Sequence, residues 1–182
     1  ADGGLSLTLR KPSRRRLGLK DFSAAGLFDQ VADAQAEASD PADAELVRLR
    51  EARDWPGFLT LAVAARRNIL ISGATGSGKT TLAKGLIELI PDHERLLTIE
   101  DTREFVVPHR NVVHLVYSKD GQGLARIGPK QLLESALRMR PDRILLQELR
   151  DGTAFFYLRN VNSGHPGSIT TVHADSAALA FE

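Results

Sequence analysis

The stretch from Gly73 to Thr81, GATGSGKTT, limits what this chain can fold into more than any other part of it. A mostly apolar run, Asn68 to Ser72, precedes it, and a helical pattern carried by Leu82, Leu86 and Leu89 follows. Three spaced glycines let the backbone curl until successive N–H groups converge on an anion, and the helix behind them adds its positive N-terminal end. Gly73, Ala74, Thr75, Gly76, Ser77, Gly78, Lys79, Thr80 and Thr81 are therefore the candidate phosphate cradle. Lys79 would reach the β- and γ-phosphates of a nucleotide, and Thr80 would offer its hydroxyl to magnesium, a hard cation that takes oxygen ligands. A glycine-rich turn between any strand and any helix is the plain alternative. Against it, strand, complete G-x-x-x-x-G-K-T and helix stand here in the order the motif needs.

The 182 residues, 42% of them hydrophobic, suffice for one domain with a real core plus a remainder, which excludes disorder as the overall state. Cysteine is absent, so disulfides, thiolate zinc sites and a cysteine nucleophile are excluded. No apolar run approaches the ~18 residues of a membrane span, and the N-terminus lacks a signal peptide's order, so any membrane role is expected to be peripheral. A net charge of +1 conceals an asymmetry: the first twenty residues are basic, whereas Asp21 to Glu45 holds acids and no Lys or Arg. Arg14, Arg15 and Arg16 could touch anionic lipid or nucleic acid, although a solvated loop is the plainer reading. The chain starts without methionine and stops just after Ala174 to Ala180, which reads as the opening of a helix. Both ends are expected to be cut from something longer.

Leu5, Leu7 and Leu9 alternate with polar residues, the period of a half-buried strand, ended by Pro12. Residues 1–29 are expected to be the remnant of an N-terminal domain, with a short helix from Asp21 to Gln30. Residues 30–54 are expected to be an interdomain linker with one helix, capped by Asp40 and Pro41 and showing Leu46 and Leu49 on one face. Trp55-Pro56-Gly57 reads as a turn, and Phe58, Leu61, Ala62 and Ala65 as the helix after it. Beyond the loop, strands are expected at Arg95 to Glu100, Val112 to Tyr117, Arg143 to Gln147 and Ser168 to Val172. Helices are expected at Pro129 to Arg138 and Thr153 to Val161, and Ser118 to Gly123 as a polar turn. Alternating strands and helices imply an α/β domain, residues 55–182, with a mostly parallel sheet flanked by helices.

Nucleotide hydrolysis also needs a carboxylate to orient water and positive charge for the transition state. Glu148 follows the buried strand Ile144-Leu145-Leu146, near the strand ends where parallel sheets bind ligands, in the form of a Walker B segment. Glu100, Asp101 and Glu104 gather at the end of another strand, and such acids are stabilised by a cation or by hydrogen bonds. Gly164-His165-Pro166-Gly167 reads as a tight turn. After it, Thr170, Thr171 and His173 complete the set, His173 as a neutral imidazole at a strand end. His93, His109 and His114 are read as structural.

GATGSGKTT, IEDTREF, LRMRPDRILLQELRD and SGHPGSITTVHA, in this order, resemble the type II and type IV secretion traffic ATPases, closest to the conjugation and type IV secretion branch. The resemblance runs from about Ala65 to Ala174. It implies a RecA-like ATPase domain in a homohexameric ring, with ATP and Mg2+ at the subunit boundary and a place at the cytoplasmic face of the bacterial inner membrane. Its implied partners are other secretion-system ATPases and inner-membrane channel components, and its implied work is assembly of a pilus or channel and transfer of DNA or protein. By position, Lys79 and Thr80 become the Walker A pair, Glu100 and Asp101 part of the Asp box, Glu148 the Walker B glutamate and His173 the end of the His box. The metal set is then Thr80, Glu100, Asp101 and Glu148. Where many relatives have a small residue before that glutamate, this chain has Gln147. An arginine from a neighbouring subunit is also implied; Arg103, Arg110, Arg126 and Arg140 are candidates, with Arg103 and Arg126 preferred.

Two other readings share the loop. A RecA-like nucleic-acid motor would use Arg14 to Arg16, but no interleaving of aromatic and basic residues suggests a stacking platform, so direct nucleic-acid binding is not expected. A nucleotide-gated scaffold would bind ATP with little turnover. A small-molecule kinase would need a lid and an acceptor pocket, and neither is legible.

Overall fold

The computed structural model describes residues 6–9, 11, 18–27, 29, 40–118, 127–150, 152–161, 164–174, 176 and 178–181. Three helices come first: α1 (Leu19–Ala24), α2 (Pro41–Glu51) and α3 (Trp55–Ala64). Then follow β1 (Ile69–Ser72), α4 (Lys79–Ile87), β2 (Leu96–Glu100), β3 (Val112–Val116), α5 (Pro129–Arg138), β4 (Arg143–Leu149), α6 (Thr153–Val161) and β5 (Ile169–Val172). A 3-10 turn at Leu179–Phe181 closes the described chain, where a longer helix was expected. The five strands form one sheet in the order β1-β5-β4-β2-β3, and each described pairing is parallel. This is the expected parallel sheet flanked by helices.

Burial on both faces explains why the central strands are apolar runs rather than alternating ones. Every residue of β2 is buried, as are the first four of β4. On one face Val63 of α3 and Ala83, Leu86 and Ile87 of α4 pack on Leu96, Leu145 and Ile169. On the other, Leu133 and Ala136 of α5 and Tyr157 and Val161 of α6 pack on Leu97, Ile99, Ile144 and Leu146. No helix among the described residues is long and apolar enough to cross a membrane.

Several expected boundaries move, each for a local reason. Trp55-Pro56-Gly57 is the first turn of α3 rather than a free turn. Asp54 caps it by accepting from the Gly57 N–H at 3.0 Å, and Pro56 lies where a helix has no N–H to pair. The helix expected to reach Gln30 ends at Ala24, where Gly26 turns left-handed at φ 76°. No strand forms over residues 6–9: Leu7 and Leu9 are 71% and 83% exposed. The polar side of that segment meets the body instead, Arg95 Nη2 donating to Ser6 Oγ at 3.1 Å and Thr8 Oγ1 to the Met139 carbonyl at 3.3 Å. The expected linker from Val31 to Ser39, Arg14 to Arg16 and residues 119–126 lie outside the described residues.

A buried ion pair ties the lower end of the sheet together. Arg143, fully buried at the start of β4, makes a two-pronged pair with Glu94, Nε to Oε2 at 2.7 Å and Nη2 to Oε1 at 3.0 Å. Its Nη1 donates to the Val63 carbonyl at 2.9 Å and reaches the Gly167 carbonyl at 3.4 Å. Gly167 adopts φ 86°, and a Cβ there would lie 2.8 Å from Arg143 Nη1, so this turn is closed to larger residues. Asn68 Oδ1 accepts from the Gly167 and Ser168 N–H groups at 3.0 and 3.1 Å.

Candidate active site

Because the strands are parallel, their carboxyl ends share one edge, and the loops after β1, β2, β4 and β5 meet there around a cleft of about 540 Å³. The loop after β1 lines it from Thr75 to Thr81. Gly76 and Gly78 are left-handed, at φ 77° and 88°. Gly78 caps α4 without a side chain, so the helix's first N–H groups open onto the cleft. At Gly73 an added Cβ would sit 2.6 Å from Ser77 Oγ, which holds that position to glycine by crowding. Lys79 is 8% exposed, and its ammonium donates to the Gly73 and Ala74 carbonyls at 2.7 and 2.8 Å, leaving a third N–H for a ligand oxygen.

Gly78 has nothing within 4 Å of its hypothetical Cβ, so only the backbone constrains it. Gly78→Ala is accordingly expected to strain the loop by about 1–2 kcal/mol and to weaken phosphate binding about tenfold, with the far-UV spectrum of the fold unchanged. Isothermal titration with ATP checks this, and unaltered affinity would mean that the left-handed turn is not needed.

The carboxylates divide into two kinds. Glu148, Asp101 and Glu104 line the cleft. Glu100 does not: it is fully buried, accepting from the Thr98 hydroxyl at 2.6 Å and from the Glu104 and Phe105 N–H groups at 2.7 and 2.8 Å. His114 Nδ1 stands 3.2 Å from it. Glu100 thus folds the loop that carries Asp101 and Glu104, and its oxygens are committed to that loop.

Glu148 owes its place to an irregularity. It was expected just past the end of β4 but lies within it, because pairing with β5 shifts by one residue between Leu146 and Leu149. Leu146 and Leu149 are three apart yet pack into the same core cluster, so the extra residue breaks simple alternation. Gln147 and Glu148 both line the cleft as a result. Gln147 Oε1 accepts from the Asp101 N–H at 3.1 Å, and its carbonyl accepts from Thr171 Oγ1 at 2.7 Å. The glutamine that departs from the common pattern therefore binds the loop after β2 to the end of β4.

His173, just past β5, joins two motifs: Nε2 lies 3.2 Å from Glu148 Oε1 and Nδ1 3.4 Å from Thr75 Oγ1. A neutral ring protonated at Nε2 donates to the carboxylate and accepts from the hydroxyl. Thr170 faces the other way, lining with Tyr157 and Ser168 a separate cavity of about 290 Å³.

Two cleft residues, Thr102 and Arg150, escaped the sequence reading. Arg150 pairs with Glu148 and stands 3.8 Å from Asp101 Oδ2. The hydrogen bond to Glu148, then the charges of Glu148 and Asp101, hold its guanidinium above the ordinary value against partial burial. Burial, followed by Asp101 and Glu148, pushes the Tyr117 phenol up, with Arg150 opposing them. The available signal was spacing, since two residues apart on an extended strand share a face.

The arginines named from sequence are dispersed. Arg103 is exposed on the loop after β2, beside the cleft. Arg110 and Arg140 precede β3 and β4, at the opposite edge of the sheet. Arg126 lies outside the described residues.

The donor set suits Mg2+. Thr80, Asp101 and Glu148 supply hard oxygens, while no group of three or more acidic or histidine ligands among the described residues forms a ready-made cage. That is the pattern of a cation held by one or two carboxylates together with substrate phosphates. Glu100 does not fit it, since its oxygens are already bonded.

The family model for "Type II/IV secretion system protein" matches residues 46–182. A type IV secretion system protein VirB11 from Bartonella henselae is 60% identical over 98% of this chain and 53% of its own length. The chain therefore spans about half the length of the curated relatives it matches. The crystal structure of the VirB11 ATPase from the Brucella suis type IV secretion system, in complex with sulphate, superposes with a TM-score of 0.83 at 45% identity, covering 94% of this chain and 51% of that one. The pilus retraction motor PilT with bound ADP superposes with a TM-score of 0.52 at 32% identity, covering 64% and 34% respectively. With its motifs gathered in one cleft and a family model matched over most of its length, this chain belongs to the type II/IV secretion system proteins, in the traffic ATPase branch that includes VirB11.

Proposed function

We propose that the protein containing this chain hydrolyses ATP with Mg2+ to drive a type IV secretion or conjugation apparatus. The observation that carries the reading is the convergence of Lys79, Glu148 and His173 in one cleft, with His173 bridging Glu148 and the phosphate loop. The relatives named VirB11 and the structures carrying sulphate and ADP support it.

In this mechanism the loop N–H groups and Lys79 bind the phosphate chain, and the N-terminus of α4 adds a favourable dipole. Glu148 orients a water for attack on the γ-phosphorus and accepts its proton, and His173 holds Glu148 in place against the phosphate loop. Mg2+ held by Thr80, Asp101 and Glu148 would offset charge on the phosphate oxygens. Glu100 serves by shaping the Asp101–Glu104 loop. The remaining positive charge is assigned to Arg103 or Arg126 of a neighbouring subunit in a homohexamer. Residues 1–29 are assigned to the end of an N-terminal domain, 30–54 to the linker and 55–182 to the ATPase domain. The ring is assigned to the cytoplasmic face of the inner membrane, with other secretion-system ATPases and channel components as partners.

The test is ATP binding and phosphate release by the intact protein with and without Mg2+. Lys79→Ala is expected to weaken ATP binding about tenfold or more and to lose phosphate release. Undiminished release from that variant would overturn the reading.

A further inference from the structure

The cleft holds more negative charge than its catalytic roles require. Asp101, Glu104 and Glu148 line it, against Lys79 and Arg150. Lys79 is turned onto the Gly73 and Ala74 carbonyls, away from the acids. Among the described residues that line the cleft, Arg150 is the permanent cation beside the acids, in contact with Glu148 and 3.8 Å from Asp101. Its own side chain is 38% exposed, whereas Glu148 and Asp101 are 16% and 17% exposed, so the guanidinium covers carboxylates from the solvent side. Arg150 therefore contacts Glu148 directly and stands beside Asp101, two of the acids assigned to the metal.

We propose that Arg150 sets the order in which the cleft fills, closing Glu148 and Asp101 to a divalent cation until a polyphosphate draws the guanidinium away. A planar, bidentate donor suits this exchange, because guanidinium pairs with carboxylate and with phosphate in the same geometry. The arriving phosphate chain offers more charge than one carboxylate, so Arg150 transfers its hydrogen bonds to phosphate oxygens and Glu148 is released. Metal and attacking water are then recruited only in a cleft that already holds nucleotide. The inference rests on the proposed ATP reading, and it gives Arg150 two successive partners, Glu148 and then the phosphate chain.

The experiment uses the intact protein and two probes in turn: Mn2+ alone, followed by electron paramagnetic resonance, and ATP in EDTA, followed by calorimetry. Arg150→Gln is expected to tighten Mn2+ binding in the absence of nucleotide about tenfold, because the acids are uncovered, and to weaken metal-free ATP binding about tenfold, because their repulsion is no longer offset. A merely structural role would not move the two affinities in opposite directions. Arg150→Lys keeps the charge without the fork and is expected to restore most of the ATP affinity, which separates charge from misfolding, and a circular dichroism melt confirms the fold of both variants. Equal Mn2+ affinity in wild type and Arg150→Gln, with ATP binding intact in wild type, overturns this proposal alone. Absence of ATP binding in wild type overturns it together with the ATP reading.

Discussion

Glu148→Gln is expected to slow ATP turnover by about a hundredfold to ten-thousandfold while ATP remains bound. The glutamine has the same shape and keeps an acceptor toward Arg150, while its amide N–H faces His173 Nε2, which accepts once the ring carries its proton on Nδ1, so the end of β4 should hold its course. What it loses is basicity: an amide oxygen does not take a proton from the attacking water. Binding should not suffer, because one of three carboxylates facing the phosphates has been neutralised. Phosphate release at saturating ATP, set beside the affinity for a fluorescent ATP analogue, gives the two numbers. Retained turnover would remove Glu148 from the role of base and direct attention to Asp101 or Glu104.

Arg143→Met should cost about 3–5 kcal/mol of folding stability, the usual penalty for breaking a buried ion pair from one side. The partners are 1% and 3% exposed, and loss of Arg143 would strand Glu94 with only Arg66, 3.3 Å away and itself 39% exposed. The Gly167 carbonyl would lose the Arg143 donor as well, and the Val63 carbonyl would be left with the Arg66 N–H. Replacing both partners with apolar residues, as in Arg143→Met with Glu94→Leu, should recover much of the loss, because the expensive species is the lone buried charge. Urea denaturation at neutral pH measures both variants.

The same pair sets a pH dependence. Burial pushes the Glu94 carboxyl up, but hydrogen bonds and charge from Arg143, with help from Arg66, hold it below its ordinary value of 4.5. A depressed carboxyl contributes stability that is complete above 4.5 and is lost as pH falls through the lower folded value. Without Arg143 the burial effect is left largely unopposed and the sign reverses. As the pH falls, the variant should therefore gain stability first and wild type lose it below 4.5, so the gap between them narrows on acidification.

Motifs with strict local chemistry were legible, and features that depend on contacts distant in sequence were not. The phosphate loop announces itself because glycine spacing, Lys79 and the helix behind it are one local design. Helix α5, with Leu132, Leu133 and Leu137 on one side, and helix α6 both form over the expected residues. The true role of Trp55-Pro56-Gly57 was hidden because proline and glycine serve equally in a turn and in a capped first helical turn, and Asp54 decides between them. Residues 6–9 alternate as a strand does, but alternation does not supply a pairing neighbour.

The site was read with the same unevenness. Sequence shows that Glu100 and Asp101 are adjacent acids, but only the fold shows that one is consumed by the N–H groups of Glu104 and Phe105 while the other lines the cleft. Arg150 was passed over for the opposite reason. It sits in the same short motif as Glu148, yet its pairing depends on where the bulge in β4 turns that glutamate.

Strand β5 is held at both ends and along both sides. Its upper end leads to His173, against the phosphate loop, and its lower end starts from Gly167 and Ser168, fastened by Asn68 and Arg143. Between them run only Ile169 to Val172, about 13 Å of chain paired to β1 and β4. Such a strand cannot stretch without parting its hydrogen bonds, so it behaves mechanically as a short pushrod. Its two anchored ends join His173, beside the phosphate loop, to Arg143 and the carbonyl of Val63 at the opposite edge of the sheet.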